Sequence, residues 1–331
     1  MAKPIITIIG LGLVGTSLGL ALQREAGDFE IVGHDKNLDA AQQARKIGAV
    51  QRTEWNLHSA WEDAQLVFLA VPLSELRDLL HHLRDSLRAE TLVFIAVDMI
   101  QPALQLAHEL LPSRAHVVAG HPILTGVGGA LTPRPDLFEE ITFCLAAGVE
   151  TEPQAMQMAS DLVERVGAKA LFVDAHEHDG LIAGVEQLPQ LLAAALVQMS
   201  TRSTGWREGR RLAGRRFAQS TELGDNAAQL FDAWQSNREN LLLRLTQLRQ
   251  TLADWQALLT AEADAEGKHP LLTSLEQVVH DRLEWEGQAM LKAWDEAPRS
   301  ERVESRGMFQ QMFFGGLMGR RGAQSERKDR S

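Results

Sequence analysis

The sequence predicts a doubly wound, mostly parallel α/β sheet followed by an all-α domain. Three observations carry this expectation. Short apolar runs rich in β-branched residues alternate with amphipathic helical stretches; a G-x-G-x-x-G loop joins the first run to the first helix; and strand signals stop after Val173. The 331 residues, 45% of them hydrophobic and 23% charged, suffice for about two domains. The expected boundaries are an α/β domain at 1–173, a helical domain at 174–298 and a basic tail containing Met and Phe at 299–331.

The strand candidates are residues 5–9, 30–34, 66–71, 92–97, 116–119, 141–146 and 170–173. Several are apolar without interruption, as strands covered by helices on both faces must be. Helical periodicity fills 16–23, 38–47, 74–87, 102–110 and 153–166, so the pattern reads as successive βαβ units. Asp174, with Glu177 three residues on, forms a capping box that opens a long apolar helix through Leu181, Leu188, Leu191, Leu192, Leu196 and Met199. Further helical patterns occupy 226–261 and 271–295. Helices this apolar bury their surplus faces in a homodimer.

Composition excludes several chemistries. Tyrosine is absent, which removes any tyrosine acid, base or nucleophile. The single cysteine, Cys144, excludes an internal disulfide and multi-cysteine metal sites, and fits a reducing cytosol. A net charge of −11 argues against a general nucleic-acid binder, since phosphate is repelled without a segregated basic patch. The tail is such a segregation: residues 299–331 carry +4 and leave −15 on the rest. The N-terminal apolar run leads into a glycine loop and lacks a signal-peptide cleavage site, and no run approaches about 18 consecutive apolar residues, so the expected location is the cytoplasm.

Gly10-Leu11-Gly12-Leu13-Val14-Gly15 lies directly between the first strand and first helix. In that context Gly10 permits the tight turn, Gly12 lets backbone approach a pyrophosphate, and Gly15 lets helix and strand pack closely, with free N–H groups facing the phosphates. Asp35, 20 residues beyond Gly15 at the end of the second strand, can accept hydrogen bonds from both adenosine ribose hydroxyls. Its charge repels a 2′-phosphate and favours NAD, although adjacent Lys36 leaves NADP open. Val71 and Pro72, at the end of the 66–71 strand, complete the candidate cofactor set of this Rossmann-type domain.

Four stretches resemble the prephenate/arogenate dehydrogenase family: IIGLGLVGTSLGLAL, the triplet Gly120-His121-Pro122, EHDGLIAGVEQLPQLLAAAL at 177–196, and RLAGRRFAQSTELGDNAAQLFDAWQSNREN at 211–240. The likeness covers about residues 4–260. It implies a Rossmann domain, a helical dimerisation domain with the active site between them, and NAD(P)-dependent oxidative decarboxylation on the way to tyrosine. His121 matches the family's catalytic histidine. The chemistry needs a base near neutrality to take the proton of the ring hydroxyl as hydride leaves, and imidazole suits that task. A place in a loop after a strand, restrained by Pro122, is expected for it.

The chain departs from the family on the substrate side. The resemblance implies Asp-Val-Gly-Ser-Val-Lys where the chain reads Ala96-Val97-Asp98-Met99-Ile100-Gln101, so a polar serine becomes Met99. His-Leu-Pro-His becomes Gln187-Leu188-Pro189-Gln190, whose glutamines still offer hydrogen bonds to substrate but no charge. Thr-Thr-Arg becomes Ser220-Thr221-Glu222, an anion where the family has a carboxylate-binding cation. Arg215 and Arg216 are the nearest replacements, beside Arg202, Arg207, Arg210 and Arg211, although arginines in such a stretch also serve as a solvated face. Two alternatives stay open: a related NAD-dependent dehydrogenase with another substrate, and a nucleotide-binding dimer that has lost catalysis and serves as a regulator or scaffold.

His176-Glu177-His178-Asp179 has the wrong spacing for a shared metal, and helix capping with dipole compensation explains its acids. His81 and His82 read as surface residues; Trp206, Trp234, Trp255, Trp285 and Trp294 read as core or dimer contacts. The stretch 308–318, rich in Met and Phe and flanked by arginines, suits a membrane-surface anchor or a protein partner as well as a tail packed back on the dimer.

Overall fold

The structure, a computed structural model, describes residues 3–25, 29–88, 91–112, 115–124, 131–224 and 226–291. The expectations for the tail, including 308–318, and for Trp294 lie outside the described residues.

Eight strands form one sheet in the order β3-β2-β1-β4-β5-β6-β7-β8. They are β1 (Ile5–Ile9), β2 (Glu30–His34), β3 (Arg52–Thr53), β4 (Leu66–Leu69), β5 (Leu92–Ala96), β6 (His116–Pro122), β7 (Thr142–Ala147) and β8 (Lys169–Phe172). Neighbours run parallel except β6 and β7, which are antiparallel. Between them lie α1 (Leu13–Leu22), α2 (Leu38–Lys46), α3 (Leu57–Trp61), α4 (Leu73–Arg84), α5 (Ile100–Leu110) and α6 (Pro153–Arg165).

The uninterrupted apolar strands have a plain cause. Ile6 and Ile8, Leu66 and Phe68, and Leu92 and Phe94 enter one core with residues of α1, α2 and α6. Ile9, Val67 and Leu69, and Val93 and Ile95 enter a second core with residues of α3, α4 and α5. Alternate side chains point to opposite faces, and both faces are covered.

After β8 every described element is helical: α7 (Ala175–Ile182), α8 (Leu188–Thr201), α9 (Trp206–Gly209), α10 (Arg215–Ser220), α11 (Ala227–Ser236), α12 (Arg238–Thr260) and α13 (Pro270–Leu291). Asp174 caps α7 by accepting the N–H groups of His176 and Glu177, both at 2.9 Å. The single long helix expected from there is interrupted by a π-helical turn, Ala183–Gln187. Pro189 explains the break: it has no N–H for the carbonyl of Val185, and its ring crowds that oxygen. Likewise the helix expected over 226–261 divides at buried Asn237.

By length and composition alone Ala175–Thr201, which contains an 18-residue window of mean hydropathy 1.5, is long and apolar enough to cross a membrane. Its inner face nevertheless holds the buried polar residues His178, Asp179 and Gln187. The outer faces of this domain are strongly apolar: Val185, Met199, Leu243, Leu259, Leu283 and Trp285 are all more than half exposed. Of the tryptophans described here, Trp206, Trp234 and Trp255 are half-buried and Trp285 is exposed within this chain.

Candidate active site

The strand order places the switch point of the sheet between β1 and β4, and the loops that follow these two strands meet there. Gly10 has φ +91°, and a Cβ on it would lie 2.3 Å from the carbonyl oxygen of Ala70. A Cβ on Gly15 would lie 1.9 Å from the carbonyl oxygen of Gly10, so helix α1 packs on the strand only without a side chain there. Gly12 is the contrast: it is exposed, with nothing within 4 Å of its Cβ position. Open space at the N-terminus of α1 is the cradle a pyrophosphate requires.

Asp35 sits just past β2. Its Oδ2 accepts the N–H of Leu11 at 2.7 Å and its Oδ1 accepts the N–H of Asn37 at 2.8 Å. The carboxylate is thus locked to the glycine loop, with a lone pair left on each oxygen for hydroxyl donors. Lys36 pairs with Glu75 of α4 at 2.5 Å. Leu13 and Val14 form the first turn of α1 and are half-buried, as is Val71, while Pro72 is exposed. These residues fit a dinucleotide with an unphosphorylated adenosine ribose.

His121 stands at the carboxyl end of β6, the same edge of the sheet that carries Gly10 at the end of β1. It lies within the strand, not in a loop after it, because β7 continues the antiparallel pairing through His121↔Cys144 to Pro122↔Phe143. The ring is buried. Burial holds its imidazole below the ordinary histidine range; the charge of Asp98 opposes this, His178 adds to it, and Asp179 opposes it. His121 Nε2 lies 3.6 Å from Oδ1 of Asp98, on the exposed loop after β5.

His121 Nδ1 lies 3.2 Å from Nε2 of His178. His178 Nδ1 lies 2.8 Å from Oδ1 of Asp179. Asp179 in turn accepts the N–H groups of Ile100 and Gln101, each at 3.0 Å. These open α5, whose N-cap residue Met99 offers no capping side chain, so an acid from the helical domain caps a helix of the α/β domain. Asp179 does compensate a helix dipole, though not that of its own helix. His178 and Asp179 were not among the expected site residues. Their signal was present: Ala175, His178, Asp179 and Ile182 recur at helical spacing and form the buried stripe of α7.

Two further buried amides extend the seam. Asn237 Nδ2 donates to the carbonyl of Asp179 at 2.8 Å and to Oε1 of Gln187 at 2.9 Å. Gln187 Nε2 donates to the carbonyl of Ala233 at 3.1 Å and approaches Sδ of Met99 at 3.4 Å. Gln187 therefore spends its amide within the protein. Half-buried Gln190 accepts from Trp234 Nε1 at 3.4 Å. Glu186, on the π turn, is pushed above the ordinary carboxylate range by burial and then by the charge of Asp98, with His178 opposing. Arg215, Arg216 and Glu222 are exposed. Cys144 is buried and its thiol is pushed up to about 11 by burial, so it is inert at neutral pH. Among the described residues no group of three or more His, Cys, Asp or Glu side chains is placed to hold a metal ion.

A glycine loop at the switch point, an acid just past the next strand and a buried histidine at the junction with a helical domain define a two-domain dinucleotide-binding protein. Comparison with known proteins narrows this. The family described as prephenate dehydrogenase, nucleotide-binding domain, matches residues 18–172, and that described as prephenate dehydrogenase, dimerization domain, matches residues 174–274. The prephenate dehydrogenase of Bacillus subtilis is 29% identical over 203 residues, 61% of this chain and 55% of that protein. A Streptomyces niveus protein named as a probable prephenate dehydrogenase is 30% identical over 264 residues, 78% of this chain and 70% of that one. The crystal structure of Aquifex aeolicus prephenate dehydrogenase in complex with hydroxyphenyl propionate and NAD+ shares the fold, with a TM-score of 0.76 at 21% identity over 86% of this chain and 99% of that one. The chain belongs to the prephenate/arogenate dehydrogenase family. The matched stretch spans about half the length of the B. subtilis relative, at 55%.

Proposed function

We propose that the protein is a cytoplasmic, homodimeric, NAD-dependent dehydrogenase that oxidatively decarboxylates prephenate or arogenate. The observation that carries this reading is the placing of buried His121 at the same edge of the sheet as the glycine loop. Gly10, Leu11, Gly12, Leu13, Val14, Gly15, Asp35, Val71 and Pro72 hold the dinucleotide. Asp35 favours NAD over NADP, because its charge repels a 2′-phosphate. NAD, when bound, supplies the hydride acceptor. His121 takes the proton of the ring hydroxyl as the carbinol hydride departs. Loss of the ring carboxylate as carbon dioxide leaves its bonding pair in the ring, which becomes aromatic. Arg215 and Arg216, exposed and unpaired among the described residues, and Gln190 are the groups proposed to meet substrate; Gln187 acts with them by setting the helix that carries Gln190.

The exposed apolar faces of α8, α12 and α13 support the homodimer, as does the description of the matching helical family. One observation favours a second reading, a less anionic alcohol as substrate: Asp98 brings a carboxylate to the histidine, and a second carboxyl group, Glu186, stands near Asp98 and His178. Incubating the protein with NAD and either prephenate or arogenate, and following NADH absorbance, separates the readings. Turnover with either supports the assignment. Measurable NAD binding without NADH from either compound overturns it.

A further inference from the structure

Backbone N–H groups only donate, so both oxygens of Asp179 are acceptors toward Ile100 and Gln101. The nitrogen of His178 facing Oδ1 must then carry its proton on Nδ1. A neutral imidazole with its proton on Nδ1 has a bare Nε2, and that atom faces Nδ1 of His121. From this chain of contacts we infer that His178 fixes the tautomer of His121, holding the proton on Nδ1 and leaving Nε2 as the lone pair that receives the substrate's proton.

The geometry supports each step. The ring planes stand at 83° with centroids 5.3 Å apart, and the Nδ1 edge of His121 meets the Nε2 edge of His178 at 3.2 Å. Both rings are buried, and a second cation beside His121 is disfavoured there. The charged and titratable groups around His121 are Asp98 from the loop after β5, Cys144 across the strand pair, and His178 and Asp179 from α7; Glu186 from the π turn acts on Asp98 and His178. Asp98 lies on the Nε2 side, where the accepted proton leaves a cation next to a carboxylate. Asp179 lies beyond His178, with its charge shared with the N-terminus of α5. His178 is thus a positioning residue for His121, and because it belongs to the helical domain, it ties the base to the correct seating of that domain on the sheet.

This inference rests on the reading of His121 as the base, but it is testable without turnover. Nitrogen NMR of the full chain labelled in histidine reports which ring nitrogens carry protons, with His178→Gln and His121→Asn used for assignment. The inference expects protonated Nδ1 and bare Nε2 on both rings near neutral pH. His121 protonated on Nε2, or His178 protonated on both nitrogens, overturns it. In the activity assay His178→Leu should lower kcat on the order of ten- to a hundred-fold and displace the acid limb of the pH profile, with KM and NAD affinity little changed. His178→Gln, which keeps an acceptor for His121 Nδ1–H, should recover part of that loss; equal kcat and pH profiles for the two variants overturn the inference. If the protein turns over neither compound, the functional reading fails while the tautomer result stands on its own.

Discussion

His121 Nδ1 and His178 Nε2 lie 3.2 Å apart, and this contact joins the sheet to the first helix of the helical domain. The catalytic candidate is therefore assembled from two domains. Asp179 reinforces the junction by capping α5, and Asn237 ties the same turn of α7 to α12. A site built this way exists only when the helical domain is seated.

The first prediction concerns pH. Burial places the His121 imidazole below the ordinary histidine range, and as the proposed base it acts in its neutral form. The acid limb of kcat should thus fall below about pH 6.5, the region of an unperturbed histidine. Asp98 stabilises the charged ring, so Asp98→Asn should move the limb to still lower pH. Stopped-flow or steady-state profiles check both directions; a shift toward higher pH in the variant contradicts the account.

The glycine loop predicts a contrast between two substitutions of one type. Gly12→Ala meets open space, so its Tm should match the parent while NAD binds on the order of ten-fold more weakly. Gly15→Ala forces a Cβ onto a carbonyl oxygen and should destabilise the fold by about 2 kcal/mol or more. Thermal melts with and without NAD separate the cases.

If Arg215 and Arg216 meet a substrate carboxylate, replacing both by Ala should raise KM on the order of ten-fold or more, with NAD affinity unchanged. An unchanged KM would identify them as a solvated face of α10.

Glu186 links the site to stability. Its carboxyl is raised by burial first, so the native state holds that proton more tightly than the unfolded chain. Stability then falls as pH rises through the native value. Glu186→Gln removes this loss: its Tm should exceed the parent's near about pH 8 and match it near about pH 4, where both states are protonated. Scanning calorimetry at the two pH values decides it.

Much of the α/β domain is legible in the sequence because strands covered on both faces are apolar throughout, and the glycine loop announces the switch point. Two-residue β3 and five-residue α3 carry too little periodicity to be seen. The π turn follows from Pro189 only once its neighbours are known to be helical. His178 and Asp179 read as helix-start residues, since their partners lie 57 and 79 positions away in the chain and no local pattern encodes them. Gln187 reads as a substrate ligand by analogy, while Asn237 and Ala233 claim its amide. Long-range partners, unlike periodicity, appear only in the fold.

The most direct test of His121 as the base is kcat for His121→Asn against the parent with whichever of prephenate or arogenate is turned over. The account predicts a loss on the order of a hundred- to ten-thousand-fold, no acid limb in the residual pH profile, and unaltered NAD affinity. Activity that survives at the parent's level with the parent's pH dependence would contradict it.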